Sequence, residues 1–225
     1  MIKGLVNILL ATDGKRINGL IFQCNSILNQ SYKNIQLYIL LDCENHIEVQ
    51  KKVGERIVPD DRIKFIIVPL AFSGSWGHSA IRYAIEHCDI QGEWTIFSGD
   101  DDCMTEWCIE SLVNASDNVD MVIGKVIPVC KDNDAVFISK DTPLSYVLGC
   151  EIDLGKITGS NCMYKTERLK EIGYKSTEYT ADWELIGKFI EYPYKMIDTV
   201  LFVMPQNFNN ANKTKEAFNY EECFK

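Results

Sequence analysis

Apolar positions along the first half of the chain alternate between two spacings, one typical of buried strands and one typical of helices. Continuous apolar runs of strand length begin at residues 6, 35, 63 and 94. Between these runs, apolar residues recur every three or four positions, which is the spacing of one helix face. The predicted strands are 6–11, 35–41, 63–69 and 94–98, and the predicted helices are 17–28, 47–57 and 80–88. This alternation predicts an α/β fold with a mainly parallel central sheet flanked by helices.

The second half of the chain has a less regular pattern of short segments. The predicted helices are 106–115, 167–172 and 183–190, and the predicted strands are 121–129, 135–139 and 196–204. Residues 206–225 form a tail rich in Asn and Lys. The sequence carries no internal repeat and no linker rich in Pro, Gly and Ser, so we predict a single domain over residues 1–225.

The composition indicates a globular protein and limits the classes of partner that it can bind. The 225 residues are enough to bury a substantial core, and 46% of them are apolar. The net charge of −9 disfavours a nucleic-acid partner, because phosphate contacts require clustered Lys and Arg. The nine cysteines form no CxxC pair and the three histidines complete no zinc-site spacing, which indicates buried, reduced thiols in a cytoplasmic protein.

The apolar N-terminus superficially resembles a signal peptide. Its run is short and ends at residues 12–16 without a small-residue cleavage site, so a first buried strand explains it better. No apolar run approaches the ~18 residues that a membrane span requires. We therefore expect no transmembrane segment, while attachment to the surface of a membrane stays open.

Polar residues follow each of the four predicted parallel strands at its carboxyl end. They are Thr12 and Asp13 after the first strand, Asp42 after the second, residues 73–77 after the third, and residues 99–102 after the fourth. Ligands of open parallel sheets gather beyond this edge. The edge is therefore the predicted binding site, and Trp76 within the glycine-flanked third loop is a candidate for stacking on a sugar or a base.

Three consecutive carboxylates, Asp100, Asp101 and Asp102, follow the fourth strand. Their mutual repulsion is costly in a low-dielectric setting unless a cation neutralises it. Carboxylate oxygens suit hard ions such as Mg²⁺ or Mn²⁺, which also bind phosphate oxygens. The alternative is a solvated acidic turn that caps a helix starting near Thr105.

Several segments, in order and across most of the chain, carry a family resemblance. They are residues 7–12, the Ser-x-Leu-x-Gln-x-Tyr-x-Asn pattern at 26–34, residues 40–42, residues 77–84 followed by 92–97 before the aspartate run, and residues 159–165, 169–174 and 181–185. With these segments the sequence resembles family 2 glycosyltransferases, which have the Rossmann-like GT-A fold. The Gln-x-Tyr-x-Asn segment together with the aspartate run is the most specific part of the match.

The resemblance implies an inverting transfer of a sugar from a nucleoside-diphosphate donor, most often a UDP-sugar, to an acceptor hydroxyl on a glycan, a lipid-linked molecule or a protein. It implies a nucleotide-sugar-binding half at about 1–103 and an acceptor-binding half at about 104–205. Asp182 matches the position of the general base. The implied donor contacts are Thr12, Asp13, Asp42, Arg82, Asp100 and Asp101, the implied metal ligands are Asp100, Asp101 and Asp102, and the implied acceptor contacts are Gly159, Ser160, Asn161 and Trp183.

Three departures from the family pattern affect these assignments. Gly99 stands at the first acidic position of the family's D-x-D-D motif, so which aspartate meets ribose and which meets metal stays open. Ala181 replaces the acidic neighbour of the base. No histidine follows His87, so water, Asn207 or Asn209 would have to supply the late metal ligand that many GT-A enzymes take from histidine.

Alternatives from the residues themselves remain. Arg82 fits a surface or ion-pairing arginine as well as a phosphate contact, Asp182 fits a helix N-terminal aspartate, and His78 is expected to be a loop residue without a catalytic role. At the level of the whole protein, the alternatives are a sugar-phosphate nucleotidyltransferase, which the single glycine of loop 11–16 disfavours, and a non-catalytic nucleotide-sugar-binding protein.

Overall fold

The computed structural model describes residues 1–74, 77–129, 149, 151–153, 157–176 and 180–205. Trp76, the predicted strand 135–139 and the tail 206–225, which contains Asn207 and Asn209, lie outside the described residues. Among the helices that the structure describes, none is both long and apolar enough to cross a membrane.

Strands and helices alternate through the first hundred residues, as the apolar pattern predicts. The strands are β1 (Ile2–Thr12), β2 (Ile35–Leu41), β3 (Ile63–Ile67), β4 (Gly92–Gly99), β5 (Cys103–Met104), β6 (Met121–Val129), β7 (Cys162–Lys165) and β8 (Tyr194–Pro205). The helices are α1 (Ile17–Leu28), α2 (His46–Arg56), α3 (His78–His87), α4 (Cys108–Asn114), α5 (Thr166–Ile172) and α6 (Ala181–Phe189). Short 3-10 helices lie at Leu70–Phe72 and Gly159–Asn161.

The strands form one sheet in the order β3-β2-β1-β4-β7-β6-β8-β5. The four strands β3, β2, β1 and β4 run parallel to one another. Strand β7 pairs antiparallel with β4 and β6, strand β8 runs parallel to β6, and the two-residue β5 pairs antiparallel with β8. The expected mixed, mostly parallel α/β sheet is confirmed.

Helices cover both faces of this sheet, which explains why most side chains of its inner strands are apolar. In β1, the side chains of Val6, Ile8 and Leu10 point into one core cluster, and those of Leu9 and Ala11 point into the other. Helices α1, α2 and α4 complete the first cluster, and α3, α5 and α6 complete the second. Both faces of the sheet are therefore packed against helices.

The Gln-x-Tyr-x-Asn segment has a structural role in fixing the chain that follows β4. The fully buried Gln30 donates from Nε2 to the Thr105 carbonyl oxygen at 2.7 Å, and its Oε1 accepts the Ile109 backbone N–H at 3.1 Å. The Tyr32 hydroxyl donates to the Gly4 carbonyl oxygen. The two Gln30 bonds tie the end of α1 to the start of α4, and so they fix the chain directly after the aspartate run.

Candidate functional site

A cavity of about 930 Å³ opens at the carboxyl edge of the parallel strands. Its walls include the ends of β1, β2 and β4, the start of α3, the 3-10 helix at Gly159–Asn161 and the start of α6. The parallel arrangement brings these strand ends to one rim, as expected for ligand sites in such sheets. Nine of the predicted site residues line it, namely Thr12, Asp13, Asp42, Asp100, Asp101, Asp102, Gly159, Ser160 and Asp182.

Arg16 lies between two carboxylates of the aspartate run. Its Nη2 atom is 2.7 Å from Asp100 Oδ1, and its Nη1 atom donates to Asp101 Oδ2 at 2.6 Å. Thr12 at the end of β1 donates from its hydroxyl to Asp100 Oδ2 at 2.6 Å. The two carboxylates therefore face a common point that already holds a positive charge.

Asp102 has different surroundings from its two neighbours. Its Oδ2 atom accepts the Gly99 backbone N–H at 2.8 Å and the Ser160 hydroxyl at 3.0 Å. Asp102 thus links the end of β4 to the predicted acceptor segment. A Cβ atom at residue 99 would lie 2.6 Å from Asp101 Oδ1, so the glycine that departs from the family motif leaves room for the Asp101 carboxylate.

Burial raises the pKa values of two of these carboxyl groups. Asp100 is 1% exposed, and burial raises its pKa to about 6, although Arg16 and the Thr12 hydroxyl act in the opposite direction. Burial and the neighbouring Asp101 raise the pKa of Asp102 to about 7. In both groups burial penalises the charged form, and a bound cation would offset this penalty.

The donor set fits a hard divalent cation. Asp100 Oδ1 is buried and accepts no well-aligned hydrogen bond, since the nearby Arg16 nitrogen meets it as an ion pair only. Over the part of the chain that the structure describes, no three acidic, His or Cys side chains form a ready-made metal cluster. A cation held by Asp100 and Asp101 would displace Arg16 and would take its remaining ligands from water and ligand phosphates, as Mg²⁺ usually does.

Asp42 lies in a second region of the cavity, at the end of β2. Its Oδ2 atom accepts the Gly74 backbone N–H at 2.9 Å. Its Oδ1 atom is buried and has no hydrogen-bond partner among the residues that the structure describes. A buried carboxylate oxygen without a partner is costly, so this atom fits a ligand that donates an N–H group. Asp13 is more exposed, and its carboxylate pairs with Lys15 of the same loop at 2.7 Å.

Asp182 lies in a third region of the cavity, in the first turn of α6. Its Oδ2 atom accepts the Gly159 backbone N–H at 2.8 Å, and its Oδ1 atom accepts the Tyr174 hydroxyl at 2.7 Å. His78 Nδ1 lies 3.7 Å from the same Oδ1. A Cβ atom at residue 159 would lie 2.7 Å from Asp182 Oδ1, so the carboxylate approaches a position that only glycine leaves open.

Three predicted residues do not line the cavity. Arg82 lies on the exposed side of α3, where its Nε donates to Glu86 at 3.0 Å, so the structure matches the ion-pairing alternative and does not place it at the ligand. Asn161 is buried and donates to the Gly124 carbonyl oxygen, and its Oδ1 accepts the Thr158 N–H. Trp183 is partly buried on α6 outside the cavity walls.

Three residues that the sequence analysis did not predict as site residues contact the residues of the site. The Arg16 guanidinium is the positive charge that contacts the aspartate pair. The sequence contained a signal for this contact, because Lys15 and Arg16 follow the polar end of β1. His78 and Tyr174 contact each other and Asp182. His78 was expected to lie in a loop, but it is the first residue of α3.

The sheet and its acidic cavity define an α/β protein of the GT-A class. The sequence model of glycosyl transferase family 2 matches residues 22–178, which is more than half of the chain. The chain therefore belongs to glycosyl transferase family 2. No match was found among curated protein sequences.

Solved structures share this fold at low sequence identity. The S. aureus TarS 1–349 structure in complex with UDP-GlcNAc matches with a TM-score of 0.62 and 13% identity, over 90% of this chain and 58% of that one. The mannosyltransferase PcManGT from Pyrobaculum calidifontis, in complex with GDP-Man and Mn²⁺, matches with a TM-score of 0.62 and 16% identity, over 92% of this chain and 59% of that one. The longer S. aureus TarS structure is covered over only 36% of its length. The chain thus spans roughly a third to three fifths of these structures.

Proposed function

We propose that this protein transfers a sugar from a nucleoside-diphosphate donor to an acceptor hydroxyl, with inversion and with Mn²⁺ or Mg²⁺. A UDP-sugar is the proposed donor. The observation that carries the proposal is that a single cavity is lined by Asp42, by the Asp100 and Asp101 pair, and by Asp182. Asp42 can accept a hydrogen bond from an N–H group of the nucleotide, and the aspartate pair can hold a cation for the diphosphate. Asp182 can act as the base for the hydroxyl of the acceptor substrate.

The nucleotide end of the donor is assigned to Asp42. Its Oδ1 atom is buried and unpartnered, while its Oδ2 atom is fixed by the Gly74 N–H. Binding of a base N–H to this oxygen satisfies a group that is otherwise costly to bury. The solved neighbours in complex with UDP-GlcNAc and GDP-Man support a nucleotide in a cavity of this fold.

The diphosphate end is assigned to Asp100 and Asp101. These residues would hold the divalent cation, which would neutralise the charge that develops on the leaving diphosphate. Arg16, once released from the two carboxylates, stays close enough to add a second positive charge toward the phosphates. Ser160 and Asp102 keep this end of the cavity joined to the acceptor side through their 3.0 Å hydrogen bond.

Asp182 is assigned the general base. It accepts the proton of the acceptor hydroxyl while that oxygen bonds to the anomeric carbon of the sugar. The bond between the anomeric carbon and the diphosphate oxygen breaks, and its electron pair leaves with the diphosphate. The hydrogen bonds that Gly159 and Tyr174 donate to the two carboxylate oxygens fix the direction of the carboxylate. A single displacement needs no protein nucleophile, which is why one base accounts for an inverting reaction.

The test compares Asp182→Asn with the wild-type protein. Release of nucleoside diphosphate is followed across a panel of UDP- and GDP-sugars with Mn²⁺ and mixed glycan acceptors, and donor binding is followed by the melting temperature. Loss of a general base is expected to lower kcat by about 10²–10⁴-fold. The donor-induced rise in melting temperature is expected to persist, because Asp182 lies outside the proposed nucleotide contacts.

Glu184→Gln is the matched control, since Glu184 lies on the same helix and accepts a hydrogen bond from Thr180. It is expected to keep wild-type turnover. Wild-type turnover in Asp182→Asn would remove Asp182 as the base. A wild-type protein that binds no nucleotide-sugar in Mn²⁺ would remove the proposed function as a whole.

A further inference from the structure

Two side chains from distant parts of the sequence converge on Asp182. The Tyr174 hydroxyl is 2.7 Å from Asp182 Oδ1 and 2.6 Å from His78 Nδ1. Tyr174 follows α5 and is 1% exposed, and His78 begins α3 next to Gly77, which has a left-handed φ of 85°. Neither contact is needed to cap α6, whose first turn already carries Asp182. The chain from His78 through Tyr174 to Asp182 therefore requires a separate explanation.

The hydrogen bonds of this chain have only one consistent direction when Asp182 is ionised. A carboxylate only accepts, so the single hydroxyl hydrogen of Tyr174 points to Asp182. The Tyr174 oxygen must then accept the bond from His78, which places a hydrogen on His78 Nδ1. Burial, together with the charge of Asp182, raises the pKa of Tyr174, so its hydroxyl stays a donor throughout the physiological range.

Other ionisable groups surround Asp182 and must be included in any pH argument. Tyr164 and Cys162 on β7 are fully buried, and burial raises both of their pKa values, so they stay neutral. Glu184 on α6 acts on Tyr174 through its charge.

We propose that His78 and Tyr174 are positioning residues for the base, orienting the Asp182 carboxylate toward the acceptor through donation from Nδ1 to the hydroxyl and from the hydroxyl to Oδ1. This inference rests on the proposed function, because it requires Asp182 to act as the base. It goes further by assigning a role to a histidine and a tyrosine that themselves do not touch the reacting atoms.

The geometry provides a pair of variants that separates hydrogen bonding from packing. In His78→Asn the side-chain amide nitrogen takes roughly the place of Nδ1, whereas in His78→Gln it reaches toward the place of Nε2. Tyr174→Phe keeps the buried ring and removes only the hydroxyl. Tyr83→Phe is the matched control, because Tyr83 lies on the same helix as His78 and packs on Phe72 outside the cavity.

The measurements are kcat, the KM for the donor, and the pH profile of kcat for each folded variant. Tyr174→Phe and His78→Gln are expected to lose about 10–100-fold in kcat, with the donor KM nearly unchanged. The acid limb of their profiles is expected to move to higher pH, because a carboxylate that loses a hydrogen bond to its charged form has a higher pKa. His78→Asn and Tyr83→Phe are expected to stay close to the wild-type protein.

Wild-type kcat and an unshifted acid limb in Tyr174→Phe would overturn the inference. Equal losses in His78→Asn and His78→Gln would also overturn it, since packing alone would then explain His78. Failure of the proposed function has a different signature, because Asp182→Asn would then retain full turnover or the wild-type protein would show none. If Tyr174→Phe does not fold, the two His78 variants still decide the question.

Discussion

Replacement of Arg16 by alanine removes the cation that holds the aspartate pair in the metal-free protein. Arg16 contacts Asp100 and Asp101 at 2.7 and 2.6 Å. Asp100 is almost completely buried, whereas the Asp101 side chain is 39% exposed. We expect Arg16→Ala to be less stable without metal, and most of the loss to come from the buried partner.

The size of the loss follows from the pKa of Asp100. A carboxyl group with a pKa of about 6 gains roughly 1 kcal/mol of stability by being ionised at pH 7, because one pKa unit corresponds to about 1.4 kcal/mol. Without Arg16 the pKa rises further, Asp100 stays protonated and this gain is lost. The more exposed pair with Asp101 adds about 0–1 kcal/mol. The expected loss at pH 7 is therefore roughly 1–2 kcal/mol, or about 2–8 °C in melting temperature for a chain of this size.

The sign of the pH dependence is fixed by the direction of the shift. The folded-state pKa of Asp100 is raised above its ordinary value of 3.8, so the folded state binds more protons than the unfolded state between these two values. Stability from this group thus rises as the pH falls through 6. Below about pH 6 the carboxyl group is protonated with or without Arg16, and the difference between the two proteins is expected to shrink toward the Asp101 contribution.

The assay is thermal unfolding of both proteins at pH 5.5, 7 and 8, in chelator and in excess Mn²⁺. The difference in melting temperature is expected to grow with pH in chelator. Mn²⁺ is expected to reduce it, because the ion replaces the missing positive charge. Arg56→Ala is the control, since exposed Arg56 donates to the Asn18 side chain and is not among the residues that line the cavity. Equal melting temperatures at pH 8, or a difference that grows as the pH falls, would refute the reasoning.

Two further predictions concern the other parts of the cavity. In Asp42→Asn the amide oxygen is expected to keep the hydrogen bond from the Gly74 N–H, which places the NH₂ group at the position of Oδ1, the proposed contact of the donor base. Donor affinity measured by calorimetry should then fall by about tenfold, while the stability of the unliganded protein should not fall. Unchanged affinity would contradict the nucleotide assignment. In Gly159→Ala the new methyl group would lie 2.7 Å from Asp182 Oδ1, so the carboxylate would have to turn away. We expect kcat to fall by about 10–100-fold with donor affinity retained. A wild-type kcat would show that the direction of the Asp182 carboxylate does not matter.

Much of the first half of the fold could be predicted because its strands are buried on both faces. Continuous apolar runs located β2 and β4 closely, although β1 begins four residues earlier than predicted and β3 ends at Ile67, two residues earlier. The two-residue strand β5 is too short to leave a periodic signal. The order of the antiparallel and parallel strands beyond β4 depends on long-range pairing, which no local pattern contains.

The rim of the site could be predicted for the same reason. Parallel strands end at one edge, so the polar residues after β1, β2 and β4 had to meet, and the structure brings Thr12, Asp42 and Asp100 into one cavity. The position of Arg82 could not be predicted from its motif, because the motif does not determine which side of α3 the residue occupies. The contact between His78 and Tyr174 joins residues 96 positions apart, and only the folded chain shows it.

The proposed mechanism depends on a divalent cation that Asp100 and Asp101 hold against a donor diphosphate. The decisive experiment is a crystal structure with Mn²⁺ and a nucleoside diphosphate, recorded so that manganese gives an anomalous signal. We expect an anomalous peak about 2.0–2.3 Å from carboxylate oxygens of this pair and from phosphate oxygens, with Arg16 moved away from its present place between them. A nucleotide bound elsewhere, with Arg16 still paired to both aspartates and no manganese beside them, would contradict it.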